Sequence, residues 1–170
     1  MQERKGVITF KGGPLTLLGP EIKVGDSAPP FKLLNNSLQE VTLDQFKGKT
    51  LILSVAPSLD TSVCAIQTRK FNQAVGSLPK TIEVLTITAD LPFAQARFCG
   101  AENIKIQTLS DHRDMGFGDA YGTHIKELRL EARSLFVIGK DGKVKYLEIV
   151  REVTTEPDYD KALAAAKANA

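Results

Sequence analysis

Between Thr50 and Leu109 the chain switches repeatedly between two periodicities, and this alternation restricts the folds open to it. Thr50-Leu51-Ile52-Leu53-Ser54-Val55 is a short, nearly continuous apolar run, as expected of a strand buried on both faces. Val63, Ile66, Phe71, Val75 and Leu78 then recur near helical spacing, and Pro79 lies at the end of that helix. Thr81 to Thr88 reads as a second strand, rich in β-branched residues. Asp90 is placed to cap a further helix with Pro92 in its first turn, and Gly100, after Cys99, suits a left-handed end. Ile106 to Leu109 is a third strand, and Asp114 to Tyr121 a short helix ended by Gly122.

The flanking segments are turn-rich and strand-like. Val7 to Lys11 and Leu15 to Leu18 surround Gly12-Gly13, which predicts an N-terminal hairpin. Phe31 to Leu34 and Glu40 to Thr42 are short strand candidates, and Leu43 to Phe46 a helical turn closed by Gly48. Leu135 to Ile138 and Val144 to Val150 flank Gly139-Lys140-Asp141-Gly142-Lys143, a second hairpin signal. Pro157 opens a last helix that runs to about Ala168. The order predicts an α/β chain with a mixed central sheet and helices on both faces. It is the order of a thioredoxin-like fold with an added N-terminal β-hairpin. A length of 170 residues suits a single domain over residues 1–170, with residues 1–20 as the hairpin extension.

Composition excludes several function classes. The 22 basic and 20 acidic residues are interspersed and leave a net charge of +2, which makes no electrostatic case for nucleic acid or an anionic membrane. No run approaches the ~20 apolar residues of a membrane span. Near Arg4 and Lys5 the apolar stretch is only Val7-Ile8-Thr9-Phe10, too short for a secretory leader, so a cytoplasmic location is expected. There are 2 cysteines, Cys64 and Cys99, too few for a disulfide scaffold in a chain of this length. Their separation is not that of Cys-x-x-Cys, and His112 and His124 stand alone, without metal-ligand spacing. The Lys/Glu pattern from Lys126 to Glu131 reads as a solvated face, and Phe93 and Phe98 as core or pocket walls.

The chemistry concentrates in Pro57-Ser58-Leu59-Asp60-Thr61-Ser62-Val63-Cys64, which joins the first buried strand to its helix. Cys64 falls in the first helical turn, where unpaired N–H groups and the helix dipole favour a thiolate over a thiol. The Thr61 hydroxyl can accept and donate hydrogen bonds beside it, and Pro57, lacking an N–H, shapes the pocket wall. The parallel strands put this helix start at the carboxyl edge of the sheet, where α/β folds commonly bind ligands.

These residues resemble the peroxiredoxin family. Pro57, Thr61 and Cys64 match its Pro-x-x-x-Thr-x-x-Cys motif. Ala89-Asp90-Leu91-Pro92-Phe93-Ala94-Gln95-Ala96-Arg97-Phe98-Cys99-Gly100 is similar to the resolving segment of its bacterial thiol peroxidase branch, the atypical two-cysteine peroxiredoxins. Thr154 to Tyr159 resembles that branch's C-terminal segment, and Gly25 to Phe31 the family's entry to the core. The resemblance implies reduction of hydrogen peroxide and organic hydroperoxides, with Cys64 as peroxidatic nucleophile. Cys99 would resolve its sulfenic acid as a Cys64–Cys99 disulfide, and thioredoxin would re-reduce it. It implies a homodimer and calls for no metal, haem or flavin. The family's active-site arginine maps to Arg133, ahead of the strand Ser134 to Ile138, with Arg129 as an alternative. Many relatives carry Gly-Pro-Leu upstream where this chain has Lys126-Glu127-Leu128-Arg129-Leu130. Leu59, Val63 and Phe93 suggest an apolar substrate pocket. A competing function is a redox-sensing thiol protein that relays a disulfide to a client protein; catalytic turnover separates the two.

Overall fold

The computed structural model describes all 170 residues. In chain order, β1 (Glu3–Phe10) and β2 (Gly13–Leu18) form the N-terminal hairpin, and β3 (Lys32–Leu34), β4 (Glu40–Thr42) and a 3-10 turn at Leu43–Phe46 follow. The alternating region becomes β5 (Thr50–Val55), α1 (Ser62–Val75), β6 (Ile82–Thr88), α2 (Pro92–Glu102), β7 (Gln107–Ser110) and α3 (Gly116–Tyr121). The rest comprises β8 (His124–Ile125), β9 (Leu130–Glu131), β10 (Ser134–Ile138), β11 (Val144–Ile149) and α4 (Tyr159–Ala168). A seven-stranded sheet runs β11-β10-β5-β6-β7-β3-β4, and a four-stranded sheet runs β1-β2-β8-β9. Strands β5, β6 and β7 are parallel, while β10 is antiparallel to β5 and β11, so the main sheet is mixed.

Side-chain alternation assigns each face of this sheet its cover. Leu51, Leu53, Val55, Leu85, Ile87, Phe136 and Ile138 pack with Phe31, Phe117 and Tyr121, which puts α3 on one face. Ile52, Val84, Leu135 and Val137 point the other way, onto Phe71 of α1 and Ala162 and Ala166 of α4. Ala162 and Ala166 are fully buried, and their small side chains leave the helix close to the sheet. Both faces are covered, which is why β5 carries no polar side beyond Thr50 and Ser54.

The structure departs from the sequence expectations at several ends. Helix α2 continues through Gly100 to Glu102, and Asn103, with φ +53°, takes the left-handed position expected of Gly100. Leu91, rather than Asp90, occupies its N-cap, and the Asp90 side chain reaches elsewhere. Helix α4 starts at Tyr159, capped by the Asp158 carboxylate accepting from the Lys161 N–H at 3.1 Å. Pro157 lies just ahead of it. Phe93 is 67% exposed and forms no core or pocket wall. The stretch from Lys126 to Glu131 is not a uniformly solvated face. Its last two residues form β9 and pair with β8 just ahead of it, and Glu131 is fully buried.

Glu131 is buried because α3 closes over it. A Cβ at Gly118 would sit 2.8 Å from the Glu131 carboxyl, so only glycine permits this approach. The Thr123 hydroxyl donates to Glu131 at 2.5 Å, and Asp111 accepts the N–H groups of Phe117 and Gly118 at 3.1 and 3.0 Å. Burial pushes both carboxyls upward. For Asp111 this is offset by a hydrogen bond from Glu131 and by the two amides, so Glu131 keeps the proton and donates it to Asp111. Asp119 adds negative charge that favours the proton on Glu131, whereas Asp114 acts the other way, on Asp111.

A raised folded-state value means the folded protein binds the extra proton. The stabilisation is full below the ordinary glutamate value of about 4.3 and is lost as pH rises through the folded value, at about 1.4 kcal/mol per pH unit between the two. Glu131→Gln keeps an N–H donor for Asp111 and an acceptor for Thr123 without a titrating proton. Urea denaturation should find the variant close to wild type near pH 5 and more stable at pH 9. Parallel stability curves for the two proteins across this range would show that Glu131 is not the proton carrier.

Candidate functional site

The chain leaves the carboxyl end of β5 through Pro57 and enters α1 at Thr61, which occupies the N-cap in an extended conformation. The first helical hydrogen bond runs from the Ala65 N–H to the Thr61 carbonyl at 3.0 Å, so the amides of Ser62, Val63 and Cys64 precede the ladder. Thr61 does not cap α1 with its side chain. Its hydroxyl and its N–H both donate to the Ser58 carbonyl, at 2.9 and 3.1 Å. Cys64 stands in the first turn, fully buried, with a free thiol.

Arg133 meets this sulfur from the opposite side. Its Nη2 donates to Cys64 Sγ at 3.3 Å, its Nη1 to Gln67 Oε1 at 2.8 Å and its Nε to the Val153 carbonyl at 2.8 Å. Arg133 as a whole is only 2% exposed. Gln67 is itself oriented, because its Nε2 donates to Ser54 Oγ at 2.8 Å and to the Val55 carbonyl at 3.3 Å. Arg129 lies away from this cluster: exposed, at φ +51°, it donates to the His112 carbonyl at 3.3 Å. The structure therefore brings Pro57, Thr61, Cys64 and Arg133 together and leaves Arg129 out.

Gln67, Ser54 and the Val153 carbonyl were missed by the sequence reading. Gln67 carried a usable signal: it follows Cys64 by one helical step on the same face, and it is a polar residue at a buried position of α1. Nothing in a single sequence marks Val153. Its segment is fixed by Glu156, which accepts from Lys70 Nζ at 2.9 Å and from the Tyr159 hydroxyl at 2.8 Å. Those bonds hold the Glu156 carboxyl below its ordinary range.

Above the cluster is a cavity of about 190 Å³. Pro57, Thr61, Val63 and Arg133 line it, together with Phe10, Ile125, Leu128, Leu130 and Val153. Leu59 is buried beside it rather than lining it, and Phe93 is absent from it, so of the three residues expected to form an apolar wall only Val63 does so. Phe10 comes from the N-terminal hairpin, which Glu152 holds in place. The Glu152 carboxylate accepts from the Thr9 hydroxyl at 2.7 Å and from the Lys11 and Gly12 amides at 3.0 and 3.1 Å. Led by the Thr9 hydrogen bond, these donors lower its pKa to about 2.

Cys99 is also a free thiol, half-buried in the last turn of α2, where its carbonyl accepts the Asn103 and Ile104 N–H groups. Its sulfur lies 3.5 Å from Thr108 Oγ1 on β7, and that hydroxyl donates to Asn36 at 2.8 Å. Arg133 lies one residue ahead of β10 and Thr108 on β7, strands that stand three apart in the order β10-β5-β6-β7, about 14 Å between their axes. Chemically, the arrangement can hold a thiolate beside a permanent cation and stabilise negative charge developing in the cavity.

Comparison with known proteins gives the same picture from sequence and from shape. The model of the redoxin family matches residues 23–163. A thiol peroxidase of Bacillus subtilis is 60% identical over 162 residues, covering 95% of this chain and 96% of that protein. One from Staphylococcus aureus is 55% identical over 161 residues, covering 94% of this chain and 97% of that protein. The crystal structure of a peroxiredoxin-like protein from Aquifex aeolicus superposes with a TM-score of 0.91 at 37% identity, covering 100% of both chains. A thiol peroxidase from Chromobacterium violaceum, 20% identical, shares the fold with a TM-score of 0.83, covering 95% of this chain and 94% of that one.

Proposed function

The chain belongs to the redoxin family and is a thiol-dependent peroxidase, and we propose that Cys64 is its peroxidatic cysteine and Cys99 its resolving cysteine. The observation that carries the assignment is the Arg133 Nη2 to Cys64 Sγ hydrogen bond of 3.3 Å in a buried setting. An arginine cannot give up its proton to the sulfur, so it stabilises the thiolate without competing as a base.

In the first step the Cys64 thiolate attacks one oxygen of the hydroperoxide. The S–O bond forms as the O–O bond breaks, leaving Cys64 as a sulfenic acid. The other oxygen departs as an alkoxide or hydroxide and takes a proton from water. Arg133 lines the cavity where that negative charge develops, and a donor so placed acts on the transition state; the Thr61 hydroxyl, whose own proton goes to the Ser58 carbonyl, offers its oxygen as acceptor to the hydroperoxide O–H. Pro57 forms part of the same wall. The cavity's apolar lining suits the hydrocarbon part of an organic hydroperoxide, and hydrogen peroxide fits the same space. In the second step the Cys99 sulfur attacks Cys64; the S–O bond breaks, and water leaves with the thiol proton. A dithiol reductant of the thioredoxin type then returns both cysteines to thiols by exchange.

Because Cys64 is fully buried and faces Arg133 while Cys99 faces Thr108, the disulfide requires an opening. Disulfide Cα atoms must lie within ~4.4–6.8 Å. The first turn of α1 and the last turn of α2 have the fewest helical hydrogen bonds to break. The reading further takes residues 1–170 as one domain working as a homodimer in a reducing, cytoplasmic setting. No helix is long and apolar enough to cross a membrane.

Cys64→Ser should abolish turnover with hydroperoxide and thioredoxin. Arg133→Met should slow it by about 10²–10³-fold, as loss of a transition-state donor does, and Thr61→Val should slow it strongly by removing the acceptor that orients the hydroperoxide. Normal turnover in Arg133→Met together with a defect in Arg129→Met would reverse the arginine assignment. Hydrogen exchange should show protection around residues 63–67, residues 93–101 or both falling on oxidation, and equal protection in the two redox states would exclude the opening. Light scattering on the reduced protein should give twice the 18.5 kDa chain mass, and a value of one chain mass across micromolar concentrations would exclude the dimer.

A further inference from the structure

We propose that Asp90 is a positioning residue for this reaction: its carboxylate clasps the loop that presents Thr61 and Cys64, and release of the clasp permits the opening toward Cys99. The proposal rests on the peroxidatic reading of Cys64.

Asp90 immediately precedes α2, where an aspartate ordinarily caps its own helix. Here Leu91 takes the N-cap with no side-chain cap bond, and the Asp90 carboxylate is turned toward the other active-site loop. Its Oδ1 accepts the Ser58 hydroxyl at 2.6 Å and its Oδ2 the Leu59 N–H at 2.7 Å. Ser58 passes the constraint on. Its carbonyl receives the hydroxyl and N–H of Thr61, and its hydroxyl oxygen receives the Asp60 N–H at 3.2 Å. One carboxylate thus fixes the whole turn from Ser58 to Thr61.

The clasp is anchored on the resolving side. Thr88 Oγ1 donates to Asp90 Oδ2 at 2.8 Å and accepts both the Asp90 N–H at 3.1 Å and Gln95 Nε2 at 2.9 Å, so all three of its hydrogen-bonding positions are used. Gln95 lies on α2 one turn before Cys99, and the Ser110 hydroxyl of β7 donates to the Asp90 carbonyl. A continuous set of hydrogen bonds therefore runs from the helix of Cys99, through Thr88 and Asp90, to the loop of Cys64. With the clasp shut, Thr61 is held where it lines the cavity; with it open, the loop is free to leave Arg133 and approach α2.

The test is a single-turnover reaction of the reduced protein with hydrogen peroxide, followed by stopped flow and by quench with mass spectrometry. It resolves the second-order oxidation of Cys64 from the first-order formation of the disulfide. Asp90→Asn keeps the size of the side chain but turns one acceptor oxygen into a donor facing groups that themselves donate. It should slow Cys64 oxidation about tenfold while disulfide formation stays at the wild-type rate or rises. Ser58→Ala should move both rates in the same directions by a smaller factor. Asp60→Asn, an exposed carboxylate of the same loop that reaches only Arg97 across 3.8 Å, should leave both rates within twofold of wild type. Wild-type rates in Asp90→Asn, or equal slowing of both steps in Asp90→Asn and Ser58→Ala, would overturn the clasp. Absence of Cys64 oxidation in the wild-type protein would instead overturn the peroxidatic reading on which the clasp depends.

Discussion

An arginine that is 2% exposed and makes no hydrogen bond to a carboxylate is the interaction around which the rest of the site is arranged. Burying an uncompensated charge is costly, and proteins usually offset it with an opposite charge or a full set of hydrogen bonds. Arg133 receives a carbonyl, an amide oxygen and a sulfur. The two oxygens hold the planar group in place without neutralising it, so its positive charge remains directed at Cys64. A carboxylate in the place of Gln67 would draw that field away from the sulfur. The neutral amide orients the arginine and leaves the charge to the reacting atom.

The supporting structure follows from that choice. Gln67 can face Arg133 only because Ser54 and the Val55 carbonyl satisfy its other end, and both lie at the carboxyl end of the most buried strand. The Val153 carbonyl can be offered to Nε because the segment around Glu156 is tied down to Lys70 and Tyr159. Arg133 itself lies just beyond β9, whose Glu131 is buried under α3 and held by the Thr123 hydroxyl. The parallel core and α1 set the position of the sulfur, and two less regular segments together with Gln67 set the position of the cation.

What the sequence disclosed, and what it hid, divides along the same line. Strands β5, β6 and β7, the placement of Cys64 at a helix start and the Gly139–Lys143 turn are local patterns, each written within a few consecutive residues. Glu131 was read as solvated because its partners, Asp111, Thr123 and Gly118, act through space, and a Lys/Glu-rich stretch ordinarily faces water. Asp90 was read as a cap because local geometry allows it; the Ser58 and Leu59 donors that claim its carboxylate come from a different loop. Gly100 was read as a helix end, yet Asn103 supplies the left-handed turn three residues later. Asparagine tolerates that conformation, so glycine was not required there.

The hairpin that brings Phe10 to the cavity is held at its turn by the Glu152 carboxylate, by backbone bonds of Thr9 to Arg151 and Val153, by pairing of β2 with β8, and by Ile8 and Leu17, fully buried against Ile125, Ala132 and Val153. It contributes no group to the sulfur chemistry. The chain thus encodes reactivity and enclosure in different pieces: a redox centre built on the sheet, and a partial roof to which the N-terminal hairpin contributes Phe10. Variation in that roof can change which molecules are admitted without altering the thiol beneath it, so substrate range can drift among relatives while the chemistry stays fixed.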